Sequence, residues 1–148
     1  MKLVFIVGIA LIVAWMFSTL TAGSGSGDVS SSSNNLDNFT EAQAQFEGFY
    51  LPGSVAQRTN NPGNIGTYGG KVGSYIDPGA GWDALYGYDQ NIAQQHPDWS
   101  ILQFITYYLT GSPNGTPGPK QNPQAYADYE ANYLGVPVTT SIGSLFNG

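Results

Sequence analysis

Cysteine is absent from the 148-residue chain. That excludes a disulfide framework, a thiol nucleophile and a lipidated cysteine anchor. Histidine occurs once, at His96. A histidine-based triad or a zinc site would have to rest on this side chain, which precedes Pro97 in what reads as an interhelix turn. Neither is expected, and no metal or organic cofactor is indicated. Positive charge is scarce: four Lys and Arg stand against ten Asp and Glu, a net charge of -6. A nucleic-acid backbone calls for a basic patch, so a nucleic-acid partner is not expected. The acids are scattered rather than in runs, which reads as solubility. Aromatic residues are plentiful, with ten Tyr, seven Phe and three Trp. Such rings suit carbohydrate sites and hydrophobic cores alike.

The chain divides into three parts. Leu3 to Ala22 carries no charged side chain and is rich in Leu, Ile, Val and Phe. A helix of about 20 such residues spans roughly 30 Å, a bilayer core. Residues 1–22 are therefore read as a transmembrane anchor. The alternative, a cleaved signal peptide, places Leu20 where a small residue is wanted before a cut at Ala22. Lys2 weakly sets the N-terminus in the cytoplasm and the remainder outside it. Residues 23–35, mostly Gly, Ser and Asn, read as a flexible tether with a reach of roughly 20 Å. Residues 36–148 are the length of one small domain.

Within that domain the spacing of Phe39, Gln43, Phe46 and Tyr50 predicts a helix over 38–50, capped by Thr40 with Gln43 and stopped by Pro52-Gly53. Ile65–Tyr68 and Lys71–Ile76 read as two short strands around Gly69-Gly70, a hairpin signal. Trp82, Leu85, Asp89, Ile92 and Ala93 fall on one face of a helix ending near Gln95. Asp98 is a candidate cap for a helix through Leu109. Asn122 with Pro123 starts another, closed by Gly135, and a last turn covers 141–146. The fold class is α+β, predominantly α, with a small hairpin.

Glu47 is an acid in apolar company. Phe46, Phe49 and Tyr50 adjoin it, and no Lys or Arg follows until Arg58. Desolvation among rings and the negative end of a helix both raise a carboxyl pKa, as a general acid near neutral pH requires. The plain alternative is a partly exposed acid at a helix end followed by an ordinary turn.

Glu47-Gly48-Phe49-Tyr50, then Gln57-Arg58-Thr59-Asn60-Asn61-Pro62-Gly63-Asn64-Ile65, resembles the lysozyme-like lytic transglycosylases of phage virions and bacterial envelopes. The resemblance continues through Asp77-Pro78-Gly79-Ala80-Gly81-Trp82-Asp83-Ala84-Leu85, Asn122-Pro123-Gln124-Ala125-Tyr126 and Tyr133-Leu134-Gly135-Val136. It covers roughly residues 36 to 146. Gly66 departs from the pattern, where Arg or another polar residue is expected. The resemblance implies a lysozyme-like domain that binds peptidoglycan glycan strands and cleaves the bond between N-acetylmuramic acid and N-acetylglucosamine. It implies Glu47 as general acid and base, with Gln57, Arg58, Asn61 and Asn64 on the substrate-side loop and Tyr126 near the acid. Asn61 and Asn64 have a second reading as caps of the turn backbone, Tyr126 as core and Arg58 as a surface ion-pair partner. Two rivals stand beside the transglycosylase: a hydrolytic muramidase using water and Asp77 or Asp83, and a non-catalytic virion or glycan-binding module. The domain would face the periplasm or cell envelope, or a virion membrane.

Overall fold

The computed structural model of the protein describes residues 31–66 and 71–146. The anchor expected over residues 3–22, and the tether up to residue 30, lie outside the described residues. Among the described residues no helix is long and apolar enough to cross a membrane. The described residues are predominantly helical, with six helices among them: α1 (Ser31–Phe46), α2 (Val55–Arg58), α3 (Pro78–Gln95), α4 (Ile101–Thr110), α5 (Pro123–Leu134) and α6 (Ile142–Phe146).

Helix α1 is the central element, packed on α3, α5 and α6. It begins at Ser31, so the last residues of the stretch read as tether are helical. Thr40 therefore does not cap it. The residue lies inside the helix, where its hydroxyl donates to Leu36 O at 2.8 Å. The helix also ends earlier than Pro52-Gly53 suggests. Gly48 adopts φ +79, which costs glycine little and other residues more. Phe49 N then donates to Ala44 O at 2.9 Å and Gly48 N to Gln45 O at 3.0 Å, the paired closure that satisfies the last carbonyls. Glu47 is the residue at this helix cap.

The other termini follow local chemistry. Asp77 caps α3 by accepting from Ala80 N, with Pro78 in the first turn. Ser100, not Asp98, caps α4: its hydroxyl accepts from Gln103 N and the Gln103 side chain accepts from Ser100 N. Asn122 and Gly135 bound α5 as the sequence predicts. The core joins Phe39 of α1, Ile92 and Ala93 of α3, Phe104 and Ile105 of α4, Tyr126 and Ala127 of α5 and Ile142 of α6. Phe39 meets Phe104 and Phe146 edge-on at 5.1 and 5.3 Å.

Among the described residues, the expected hairpin shows one bridge, between Gly66 and Val72, and Gly73 N donates to Ile65 O at 2.9 Å beside it. Residues 67–70 lie outside the described residues. Gly66 and Gly73 offer no side chains to pair across strands, which weakens a two-stranded ladder. The same loop is held from below by α3. A Cβ on Gly81 would sit 1.8 Å from Asn60 O. The Asn60–Asn64 loop therefore lies directly on the α3 backbone, at a contact only glycine permits.

Candidate active site around Glu47

The cap geometry of α1 puts Glu47 where the Asn-rich loop crosses. Asn64 Nδ2 donates to Glu47 Oε2 at 2.9 Å and to the Glu47 backbone oxygen at 3.3 Å. Asn64 adopts φ 48 and Asn60 φ 52, the left-handed region that Asn tolerates better than most residues. Burial pushes the Glu47 carboxyl up to about 7, while Asn64 and then Tyr126 pull it back in smaller measure. The residue as a whole keeps part of its surface. A largely buried acid that keeps part of its surface and has a neutral-range pKa is chemically competent as a proton donor and, once ionised, as an acceptor.

Tyr126 lies beneath this acid. It is fully buried, and its ring stacks on Phe46 with centroids 3.9 Å apart. Its hydroxyl favours the ionised form of Glu47, yet no formed hydrogen bond satisfies that oxygen. Asn64 Oδ1 is likewise buried without a partner. The site thus presents two polar atoms beside the acid that the fold itself leaves unsatisfied, each at a desolvation cost of about 1–3 kcal/mol.

The remaining residues read from the loop have other work. Asn61 is fully buried. Its Nδ2 donates to Ile65 O and Gly73 O, and its Oδ1 accepts from Ile65 N. Every amide atom is committed to the loop, so Asn61 builds the site without facing it. Gln57 Oε1 accepts from Gly53 N at 2.7 Å, and Arg58 donates to Gly53 O at 2.6 Å. Both are exposed side chains fastened to the turn that follows Glu47. The structure therefore brings Asn64 and Tyr126 to Glu47, while Asn61, Gln57 and Arg58 hold the surrounding loops.

Three ionisable residues beside the site are not read from the sequence as functional. The Tyr108 hydroxyl donates to Gly63 O, fastening α4 to the Asn-rich loop. Its ionisation is disfavoured by burial and then by the Glu47 carboxyl. Asp89 is buried, with its Oδ2 3.2 Å from the Thr40 hydroxyl oxygen. The Gln43 amide lies against the same carboxyl and, with its nitrogen assigned to that side, donates to Oδ2 at 2.7 Å. Glu130 is buried one turn beyond Tyr126 on α5, and neither carboxyl oxygen has a partner. Burial, then Asp89, then Glu47 hold the Glu130 carboxyl well above its ordinary range. A signal for Glu130 existed: it falls on the stripe Tyr126, Ala127, Ala131, where an apolar residue belongs.

Of the acids considered as a second carboxylate, Asp77 accepts from Ala80 N at 2.9 Å as the α3 cap. Asp83 is exposed on α3. His96 ends α3 with its ring stacked on Trp99 at 3.8 Å. Comparison of the chain with protein-family models, with curated proteins and with solved structures gives no match.

Proposed function

We propose that this protein is a peptidoglycan lytic transglycosylase of lysozyme-like type. The observation that carries the reading is Glu47: a carboxyl raised to about 7 by burial, oriented by Asn64, on a residue that keeps part of its surface. Glu47 in its protonated form donates to the glycosidic oxygen as the C1–O bond between N-acetylmuramic acid and N-acetylglucosamine breaks. The Glu47 carboxylate then accepts the proton of the muramic C6 hydroxyl as its oxygen bonds to C1. The product is a 1,6-anhydro ring, water is not consumed, and Glu47 ends protonated as it began. One accessible acid suffices for this sequence of steps, whereas hydrolysis needs a second carboxylate to handle water. The Asn64 bond also supports the return half of the cycle, because it favours the ionised acid.

The hydrolytic muramidase remains the second reading. Its candidates are Asp77, which is spent in part on a helix cap, and Asp83. A mass spectrum of the fragments that the full-length protein releases from purified peptidoglycan separates the readings. Anhydro-muramic ends from the wild type, and none from Glu47→Gln, are expected. Reducing ends would replace the transglycosylase by the muramidase. Retained glycan binding without release would replace both by a binding or virion module. In the proposed setting an N-terminal anchor holds the domain outside the cytoplasm, within reach of glycan strands.

A further inference from the structure

Beside the Glu47 site, on the edge between α1 and α3, runs an open groove of about 440 Å³. Its walls carry three rings, Tyr50, Trp82 and Tyr86, and three carboxylates, Asp37, Glu41 and Asp83. Among the described residues, no Lys or Arg is in its lining. Three of these groups, Tyr50, Glu41 and Trp82, are fixed in advance. The Tyr50 ring is 55% exposed, yet its hydroxyl donates to Glu41 Oε2 at 2.9 Å. Gln45 Nε2 donates to Glu41 Oε1 at 2.9 Å. The Trp82 ring is held edge-on by Phe49 at 5.6 Å. Phe49 lies two residues from Glu47 and also meets Tyr50 at 5.4 Å. Phe49 therefore touches two of the groove's rings and is two residues from Glu47 in the chain.

We propose that this groove is a second saccharide site, which takes an uncharged N-acetylglucosamine unit of the glycan chain. The choice of polymer rests on the transglycosylase reading. The chemistry of the groove rests on its own lining. Flat apolar faces of a sugar ring pack on aromatic rings, and its hydroxyls donate to carboxylates, which are acceptors only. Rings and acceptors pinned before binding lose little freedom when the ligand arrives. A metal ion does not fit the same acids: among the described residues, no group of three or more His, Cys, Asp and Glu side chains is placed to hold one. A sugar bearing a carboxylate is disfavoured, because three acids and no base would face it. In an alternating polymer this sets a register, with the neutral sugar in the groove and the acid-bearing sugar outside it.

The test uses the full-length protein carrying Glu47→Gln, titrated calorimetrically with the tetramer of N-acetylglucosamine. Trp82→Ala and Asp83→Asn are compared in that background, with circular dichroism to verify folding. Each is expected to weaken binding by about tenfold, the equivalent of about 1.4 kcal/mol. Asp83→Asn is a near-isosteric change at an exposed helix position, so it tests the groove even where loss of the Trp82 ring disturbs Phe49. Unchanged affinity in a folded Asp83→Asn variant, or no binding by the parent, would overturn the proposal. So would tighter binding of the deacetylated tetramer that depends on Asp83 but not on Trp82, which would make the groove an ammonium site. The two proposals fail separately. Anhydro ends from the wild type together with groove-independent binding would remove the groove and leave the reaction. Groove-dependent binding without cleavage would do the reverse.

Discussion

Glu47 has its properties from three neighbours of different origin: the cap of α1 that ends at Gly48, the amide of Asn64 and the buried ring of Tyr126. In the proposed reaction the acid starts protonated, so cleavage is expected to fall as pH rises through about 7, read as the alkaline limb of kcat/KM. A limb near pH 5 would show that the carboxyl is not desolvated in solution. Asn64→Gly keeps the left-handed backbone but removes the hydrogen bond that favours the ionised acid, so the limb is expected to move to higher pH. Glu47→Gln carries a stability signature as well. The folded pKa of about 7 lies above the ordinary value of 4.5. The fold therefore binds the proton more tightly than the unfolded chain, and loses stability as pH rises between those values. At pH 8 the glutamine variant is expected to be more stable by about 1–2 kcal/mol, after allowance for partial exposure. Chemical denaturation at pH 5 and pH 8 measures the difference, which should nearly vanish at the lower pH.

Elements of this protein meet at small residues and capped ends, and those junctions place the site. The Asn60–Asn64 loop lies on α3 because Gly81 has no Cβ to strike Asn60 O. Gly81→Ala is expected to destabilise the fold by about 1–3 kcal/mol. It should also lower cleavage more than a comparable loss elsewhere, since it displaces the loop that carries Asn64. Asn122→Ala is the matched control. It removes a cap worth about 1 kcal/mol, and at temperatures where it remains folded its pH–activity profile should match the wild type. Thermal melts beside activity profiles of the two variants make the comparison. The α5 boundaries were legible because Asn122, Pro123 and Gly135 act through their own backbone. The end of α1 was not, because Gly48 inside an apolar stripe gives no local sign that it takes a left-handed turn. The α4 cap was misplaced by two residues because Asp98 and Ser100 are both good caps, and docking of Ser141 beside Ser100 decides between them.

Across the molecule, carboxyls at Glu47, Asp89 and Glu130 come from α1, α3 and α5 and converge on one interior. Asp89 and Glu130 are held well above their ordinary range, in both cases by burial first. Their protonated forms are stabilised by folding, so stability is greatest at acid pH and is lost as pH rises toward the raised folded values. The melting temperature is expected to fall between pH 5 and pH 9. Glu130→Leu should reduce that fall, because it replaces an unpartnered buried acid with an apolar residue of similar size. An equal slope in wild type and variant would mean that Glu130 does not titrate with the fold.

What the sequence by itself determined was the helical character, most helix positions and the apolar surroundings of Glu47. These depend on periodicity, caps and residue type, which act over a few positions. Only tertiary structure decided that Asn64 rather than Asn61 reaches the acid, that Gln57 and Arg58 turn to Gly53, and that the described part of the expected hairpin is a single bridge. Tertiary structure alone also brought Asp89, Tyr108 and Glu130 to the interior beside Glu47. Those outcomes rest on which side chains meet across elements far apart in the chain, and spacing along one strand of sequence carries no information about that meeting.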